Sequence, residues 1–488
     1  MQKANNACNR YKEYHQHKKG KIKAFYDQEA HQYPEKWLKK NSYYYDQIKQ
    51  LLSSIIPPGK SVLDAGCGCG HILDHLKPSR GVGIDFSGSM ITEAQQRYPQ
   101  SEFRKMDIEE VSDLNETFEF VVSANSITEM TDIRQCLKSL YQVMTPETRL
   151  VIITYNYLWE PVLELGASLD LRPKSPSENW LSFNDLNGIL VSANYEVVRE
   201  GYRTILPKQV PLLSSFCNNF LVQMPIFRHL GFTCYTIARP LIPIEHPETK
   251  TVSVVVPCKN EEENIEEVVK RTPEMGGGTE IIFVDDKSTD GTARIIKEQA
   301  ELYPEKNIRL VAGPGLGKGA ACREGFALAQ NDILMILDAD MTVMPEVLPE
   351  FFEILTNNKG EFINGSRLLY PMEDQAMRTA NVIGNKMFAM LFTFLLEQPI
   401  KDTLCGTKVI YRHNYHKVLE AREYFGNIDR WGDYDWIFGA ARHSLKIIEL
   451  PVHYVSRTAG ETKMTGRLRN AWIMLKMCWA AFIKLKLC

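Results

Sequence analysis

The chain is 488 residues long. At about 150 residues per domain that is room for two or three cores, which excludes a single small binding module. Apolar residues make up 44% and charged residues 24%, the balance of a soluble globular chain and not of a disordered, fibrous or multi-span one. Lysine and arginine number 57 against 60 acidic residues, so a net charge of −3 gives no global field for nucleic acid, and charged partners must be met locally.

The N-terminus, MQKANNACNRYKEYHQHKKGKIK, is polar and basic and lacks the apolar core of a secretory signal. Eleven cysteines are scattered without the dense framework of a small secreted protein. Both features predict a reducing, cytoplasmic setting. Cys67 and Cys69 have no second Cys/His pair at zinc spacing and read as small turn residues. The longest apolar run, MFAMLFTFLL at 387–396, is about half of what a bilayer core needs, so no spanning helix is expected.

In the first half, apolar runs at 61–63, 81–84, 118–122 and 150–154 alternate with helical patterns at 88–97 and 133–143. This is the pattern of βαβ units around a parallel sheet, with ligands expected beyond the carboxyl ends of the strands. Pro240, Pro243 and Pro247 then interrupt the chain just before the run TVSVVV. We place the boundary near residue 246, giving domains 1–246 and 247–488. The second half shows buried-strand runs at 251–256, 280–284, 308–312 and 333–337, most followed by a loop carrying charge. Both halves are expected to be α/β. They do not resemble each other, which makes the chain a fusion and not a repeat.

The first strand runs into Asp64-Ala-Gly66-Cys-Gly68-Cys-Gly70-His, and the second ends in Asp85. Alternate glycines let the backbone approach a ligand while a helix N-terminus offers amide donors, and an acid at the next strand end is placed for ribose hydroxyls. A dinucleotide fingerprint needs glycine at position 71, where this chain has His71. VLDAGCGCG, GVGIDFS, KMDIEEV, FEFVVSANSITEM and VMTPETRLVIIT together resemble class I S-adenosylmethionine-dependent methyltransferases over residues 40–200. The resemblance implies a Rossmann-like fold with S-adenosylmethionine as cofactor. It places Asp64, Gly66, Gly68 and Gly70 at the methionine end, Asp85 on the ribose, Asp107 on the adenine amine, and Ala124 and Asn125 beside the sulfonium. Tyr155, Tyr157 and Trp159 read either as a cover for the acceptor pocket or as ordinary core aromatics. Tyr14, Tyr26, Tyr33, Tyr43 and Tyr44 fall where the resemblance puts a helical lid.

In the second half Pro257-Cys-Lys-Asn260-Glu261, Asp285-Asp286-Lys-Ser288-Thr-Asp290-Gly291, Gly317-Lys318-Gly319 and Asp338-Ala-Asp340 each follow a strand. Carboxylates two apart at a strand end can share a hard divalent cation that neutralises a departing diphosphate, and Lys318 adds a second positive charge. The ordered set closely resembles glycosyltransferase family 2, with the GT-A fold, over most of residues 250–465. By that resemblance Pro257 and Glu261 border the nucleoside pocket with Asp285. Asp286 reads the base, Lys318 faces the phosphates, and Asp338 and Asp340 hold Mg²⁺ or Mn²⁺.

Asn364-Gly-Ser-Arg367, Lys401-Asp402-Thr-Leu-Cys405-Gly406-Thr-Lys408 and Gly432-Asp433-Tyr-Asp435 resemble the polyprenyl-phosphate (dolichol-phosphate) sugar synthase subgroup. Arg367 joins the nucleotide-sugar set, and Arg457 and Lys463 are implied to meet acceptor phosphate. Asp433 or Asp435 becomes the acceptor-side acid: a general base for a hydroxyl acceptor, an orienting group for a phosphate.

From Lys463 onward every charged residue is basic, and Trp472, Leu475, Trp479 and Phe482 recur at helical spacing. This predicts a basic amphipathic helix suited to an anionic leaflet. Residues 378–396 offer a second surface helix, and packing against the domain is the alternative for both. The segment 207–240 is apolar and broken by prolines, with no role assigned. The expectation is a bifunctional transferase, peripheral on the inner face of a membrane. It would use S-adenosylmethionine, Mg²⁺ or Mn²⁺, and a nucleoside diphosphate sugar, and act on a polyprenyl-phosphate or glycan acceptor. Two alternatives stand beside it: a glycosyltransferase with a non-catalytic cofactor-binding scaffold, and a membrane-surface binding protein with degenerate sites. The methyl acceptor, the sugar and the oligomeric state are left open.

Overall fold

The computed structural model describes residues 2–370, 379–426, 432–455 and 467–487. The chain divides into two compact units, residues 1–242 and 243–487, so the division falls inside the proline-rich stretch.

In the first unit β1 (Ser61–Ala65), β2 (Arg80–Asp85), β3 (Glu102–Lys105), β4 (Phe118–Ala124), β5 (Met144–Tyr155), β6 (Tyr195–Arg203) and β7 (Thr233–Pro240) form one sheet in the order β3-β2-β1-β4-β5-β7-β6. The first five strands run parallel, and β7 is antiparallel to both β5 and β6. Parallel strands are covered on both faces, which is why they read as unbroken apolar runs. The two-residue period of β1 sends Val62 into one layer with Ile48, Leu52 and Phe120 and Leu63 into the other with Val121, Leu137 and Leu190. The strand order reverses between β1 and β4, so the crevice beyond their carboxyl ends is the natural ligand position. Helices Gln2–Glu29 and Ser42–Ile55 precede β1. Helix Gly88–Arg97 is capped by the Ser87 hydroxyl, which accepts the Met90 N–H. The expected helix at 133–143 is α-helical only to Leu140 and ends in a 3₁₀ turn, Tyr141–Val143.

The second unit holds β8 (Val252–Cys258), β9 (Thr279–Asp285), β10 (Ile308–Ala312), β11 (Ile333–Ile336), β12 (Phe362–Ser366), β13 (Lys408–Tyr411) and β14 (Ile447–Pro451), ordered β10-β9-β8-β11-β13-β12-β14. Strands β8 to β11 pair in parallel, and β13 lies antiparallel between β11 and β12. Val252, Val254 and Val256 face one layer and Val255 the other. Helices Thr379–Leu396 and Arg467–Lys486 pack on each other: the Phe394 and Phe482 rings stack 6.4 Å apart, and Lys486 Nζ lies 2.5 Å from Glu397 Oε1. The last helix buries Met474, Met477, Cys478 and Ala481 and leaves Trp472 (61%) and Trp479 (62%) exposed with Leu475 and Ile483. Lys486 belongs to the buried side and not to the basic face expected for it. No described helix is long and apolar enough to cross a membrane.

Candidate functional site

Beyond β1 the chain turns through Gly66, Gly68 and Gly70, all at positive φ (83°, 51° and 81°). A Cβ on Gly66 would stand 2.4 Å from Ser126 Cβ, so only glycine lets this loop sit against the turn after β4. The Gly68 N–H donates to Asp85 Oδ2 at 3.0 Å and the Ser87 N–H to Asp85 Oδ1 at 2.9 Å. Burial pushes the Asp85 carboxyl up to about 6, with these two N–H groups offsetting part of the cost. A cavity of about 440 Å³ opens here, lined by Gly66, Gly68, Asp85, Asp107, Ala124 and Asn125. Asp107 pairs with Lys19 and accepts the Glu109 N–H at 3.1 Å. Asn125, at φ 59°, holds the Tyr44 hydroxyl between Nδ2 (3.1 Å) and Oδ1 (3.2 Å). The glycine cradle and a strand-end acid beside an open cavity fit a nucleoside cofactor.

Two expected cofactor residues do not line this cavity. Asp64 is 1% exposed, and its Oδ2 has no hydrogen-bond partner among the described residues. Burial and the neighbouring Asp85 push its carboxyl up to about 7. Gly70 packs instead on Phe103 and Ala94, where a Cβ would approach the Phe103 ring to 2.5 Å. Period two in β1 turns Asp64 into the protein layer, and Gly70 serves the start of helix His71–Leu76. Cys67 and Cys69 are free and buried.

The far end of the cavity is aromatic, with Tyr26, Tyr33, Tyr44, Tyr155, Trp159 and Phe232 in its wall. The Tyr26 hydroxyl donates to Glu129 Oε1 at 2.6 Å. Burial pushes the Glu129 carboxyl up to about 8; the Tyr26 hydrogen bond works against this and Glu178 adds to it. Arg172 pairs with Glu178 at 2.5 Å, its guanidinium 5.3 Å from the Tyr155 ring centroid. The sequence points to the tyrosines and Trp159 but not to Phe232, Glu129, Arg172 or Glu178. The last three lie in a short turn and a long loop with no periodicity to mark them.

In the second unit, β8 ends at Pro257-Cys258, and the buried Glu261 takes the Asn264 Nδ2 at 2.9 Å while its own N–H donates to Thr292 Oγ1 at 2.9 Å. Asp285 Oδ1 accepts the Ser288 N–H at 3.0 Å. Asp286 is buried, with Oδ1 accepting the Gly315 N–H (2.6 Å) and Oδ2 the Gly317 N–H (2.9 Å), so this carboxylate fastens the glycine loop. That loop delivers Lys318, whose Nζ lies 2.5 Å from Asp338 Oδ1. Gly432, at φ 87°, brings the start of helix Asp433–Arg442 against Gly319, leaving 2.9 Å between a would-be Cβ and Gly319 Cα. Asp433 thereby enters the site, and Nζ of the fully buried Lys408 lies 2.5 Å from its Oδ1. Lys408, which sequence reasoning quoted without a role, also donates to the Cys405 carbonyl.

Burial pushes the Asp338 carboxyl up, but Lys318, Lys408 and Arg367 overcome it and hold the group below the usual carboxylate range. Burial lowers Lys318 in turn, and the Asp338 and Asp433 carboxylates more than restore it. Asp340 Oδ1 accepts the Thr342 N–H (3.2 Å) and hydroxyl (2.9 Å). Among the described residues no three His, Cys, Asp or Glu side chains gather as a complete metal cage. Two hard carboxylates at one strand end nevertheless fit Mg²⁺ or Mn²⁺, which commonly takes one or two carboxylates and fills its remaining positions with water and substrate phosphate.

Two expected residues stand elsewhere in role or position. Asp435 points to the other side of its helix, 2.7 Å from Arg422 Nε and 3.8 Å from Arg323, because residues two apart on a helix do not share a face. Arg367 is taken up by Asp402 through Nε (2.7 Å) and Nη2 (2.8 Å), so it fixes the turn before Gly406 and acts on Asp338 only through its field. Arg457 and Lys463 lie outside the described residues.

Against known proteins, residues 37–200 match the model described as a methyltransferase domain and residues 253–419 the model of glycosyl transferase family 2. A dolichyl-phosphate beta-glucosyltransferase of Trichomonas vaginalis is 29% identical over 253 residues, 48% of this chain and 75% of that protein. Among solved structures, a methyltransferase of Thermotoga maritima described as a possible histamine N-methyltransferase matches 45% of this chain and 99% of its own, with 14% identity and a TM-score of 0.35. A mannosyltransferase of Pyrobaculum calidifontis, in complex with GDP-Man and Mn²⁺, matches 49% of this chain and 66% of its own, with 21% identity and a TM-score of 0.35. The chain joins a methyltransferase domain at residues 37–200 to a glycosyltransferase family 2 domain at residues 253–419.

Proposed function

We propose that the C-terminal half, from near residue 246, transfers a sugar from a nucleoside diphosphate sugar to a polyprenyl phosphate with inversion at the sugar carbon. The N-terminal half transfers a methyl group from S-adenosylmethionine. The carrying observation is the alternating set Asp338, Lys318, Asp433 and Lys408 beside Asp340. Asp338 and Asp340 would hold a divalent cation, which when bound neutralises the departing diphosphate. Lys318 is the second cation at the same place. An acceptor phosphate, with a second pKa of about 6, is already anionic near neutral pH and needs no strong base. Asp433, tied to Lys408, then orients the acceptor side. The T. vaginalis relative, a dolichyl-phosphate glucosyltransferase by name, supports the acceptor class.

Exposed Trp472, Leu475 and Trp479, with Met387 and Met390 on the helix packed against theirs, support docking on a leaflet. Exposed Arg469, Lys476 and Lys386 favour anionic lipid.

The test is Asp340→Ala in the full chain. Metal-dependent release of nucleoside diphosphate from a nucleotide sugar should fall by roughly 100-fold or more. Affinity for S-adenosylhomocysteine, measured by calorimetry, should hold. Full diphosphate release by this variant would contradict the assignment of the metal site.

A further inference from the structure

The aromatic end of the first unit's cavity carries more acid than a methyl-transfer site needs for positioning alone. Glu129 and Glu178 both line it; of the cations in the same wall, Arg172 pairs with Glu178, Lys19 with Asp107 and Glu109, and Lys208 donates to the Lys40 carbonyl and Asn41 Oδ1. Arg172 is committed to Glu178, which leaves Glu129 with a neutral donor, the Tyr26 hydroxyl, at 2.6 Å. A carboxylate-bearing acceptor would be repelled by Glu129 once it is ionised. A cation is attracted by an ionised Glu129 and by the aromatic lining beside it, where Tyr155 already holds the Arg172 guanidinium 5.3 Å from its ring centroid. Glu129 follows Asn125 by one turn of chain, the 3₁₀ segment Ile127–Glu129, so it stands one step from the cofactor end of the same cavity.

Resting on the cofactor reading proposed above, we propose that the methyl acceptor is a small amine and that Glu129 takes its proton. The acceptor enters as an ammonium and gives one N–H proton to a Glu129 oxygen. The freed nitrogen lone pair forms the new N–CH₃ bond as the CH₃–S bond breaks, its electron pair going to sulfur. S-adenosylhomocysteine and a methylated ammonium result, and Glu129 returns its proton to solvent. Positive charge passes from sulfur to nitrogen beside the aromatic wall. The raised pKa of Glu129, about 8, suits a group that exchanges a proton with an amine near neutral pH. The groups facing it are Tyr26 from the first helix, Tyr155 from β5, and Ser175, Arg172 and Glu178 from the loop before β6.

The test is calorimetry on the full chain saturated with S-adenosylhomocysteine, titrated with phenethylamine, 2-phenylethanol and phenylacetate between pH 6 and 9. The amine should bind about 10-fold tighter than the alcohol, with phenylacetate weakest. Its affinity should rise with pH as Glu129 ionises. Glu129→Gln should erase the preference for the amine and leave S-adenosylhomocysteine affinity within about twofold. Tyr26→Phe keeps the ring and removes the donor that favours the charged carboxylate, so the rise in amine affinity should move to higher pH. This second variant keeps the test open if Glu129→Gln does not fold. Equal binding of amine and alcohol, or an unchanged preference in Glu129→Gln, overturns the inference alone. Failure to bind S-adenosylhomocysteine at all takes down the cofactor reading and the inference with it.

Discussion

Gly406 has no side chain, and a Cβ there would lie 1.9 Å from Asp338 Oδ2 and 2.5 Å from Lys318 Nζ. The turn that Arg367 and Asp402 hold in place therefore presses bare backbone against the ion pair at the end of β11. Gly406→Ala must displace one of the two charges. Sugar transfer should fall by roughly 100-fold, with S-adenosylhomocysteine affinity unaltered, and full transfer by this variant would refute the steric argument. At this scale the sequence was partly legible. Acids at strand ends announce themselves by position, and Asp85, Asp338 and Asp340 stand at the strand ends where the proposed ligands would bind. Asp64 and Asp286 share that signature yet serve the protein itself: one is turned into a layer, the other spent on two backbone N–H groups. Nothing in a residue's identity distinguishes a carboxylate that binds a ligand from one that binds its own loop. Only the partner does.

The last helix divides its faces sharply. Met474, Met477, Cys478 and Ala481 enter the core, while Trp472, Leu475, Trp479 and Ile483 stay outside. Two substitutions should separate packing from docking. Trp472→Ala with Trp479→Ala should lower sedimentation with phosphatidylglycerol vesicles by about 10-fold and leave the melting temperature in place. Met477→Ala, emptying a buried position, should cost about 2–5 kcal/mol in stability and leave vesicle binding in the protein that remains folded. A tryptophan pair whose loss leaves sedimentation unchanged would argue that the stripe has another purpose.

Four strands per half were legible as apolar runs, against seven in each sheet. Edge strand β3, EFRK, buries only Phe103 and has too little apolar content to read as a strand. β7 ends in Pro240, which reads as punctuation because proline donates no hydrogen bond, although at a strand's last residue none is required. β13, with Lys408 fully buried at its start, breaks the apolar signal at the position where the site needs charge. These strands become visible only through pairing with distant partners.

Across the whole molecule the net charge of −3 hides local concentrations that decide function. Acids cluster at the cavity of the first unit, while carboxylates and lysines alternate at the strand ends of the second. Fold class and the joining of two transferase domains were legible, because both depend on ordered motifs at strand ends. Which acids touch a ligand was not, because that depends on long-range hydrogen bonds. Transfer of a sugar to a lipid phosphate is read from its products. The full chain is incubated with radiolabelled UDP- and GDP-sugars, Mn²⁺, and dolichyl phosphate in anionic vesicles. With one of these donors, label should enter an acid-labile product extracted into organic solvent, and chelation of the metal should abolish it. Nucleotide release with all label left as free sugar or on a water-soluble glycan, and none in lipid, would contradict transfer to a lipid phosphate.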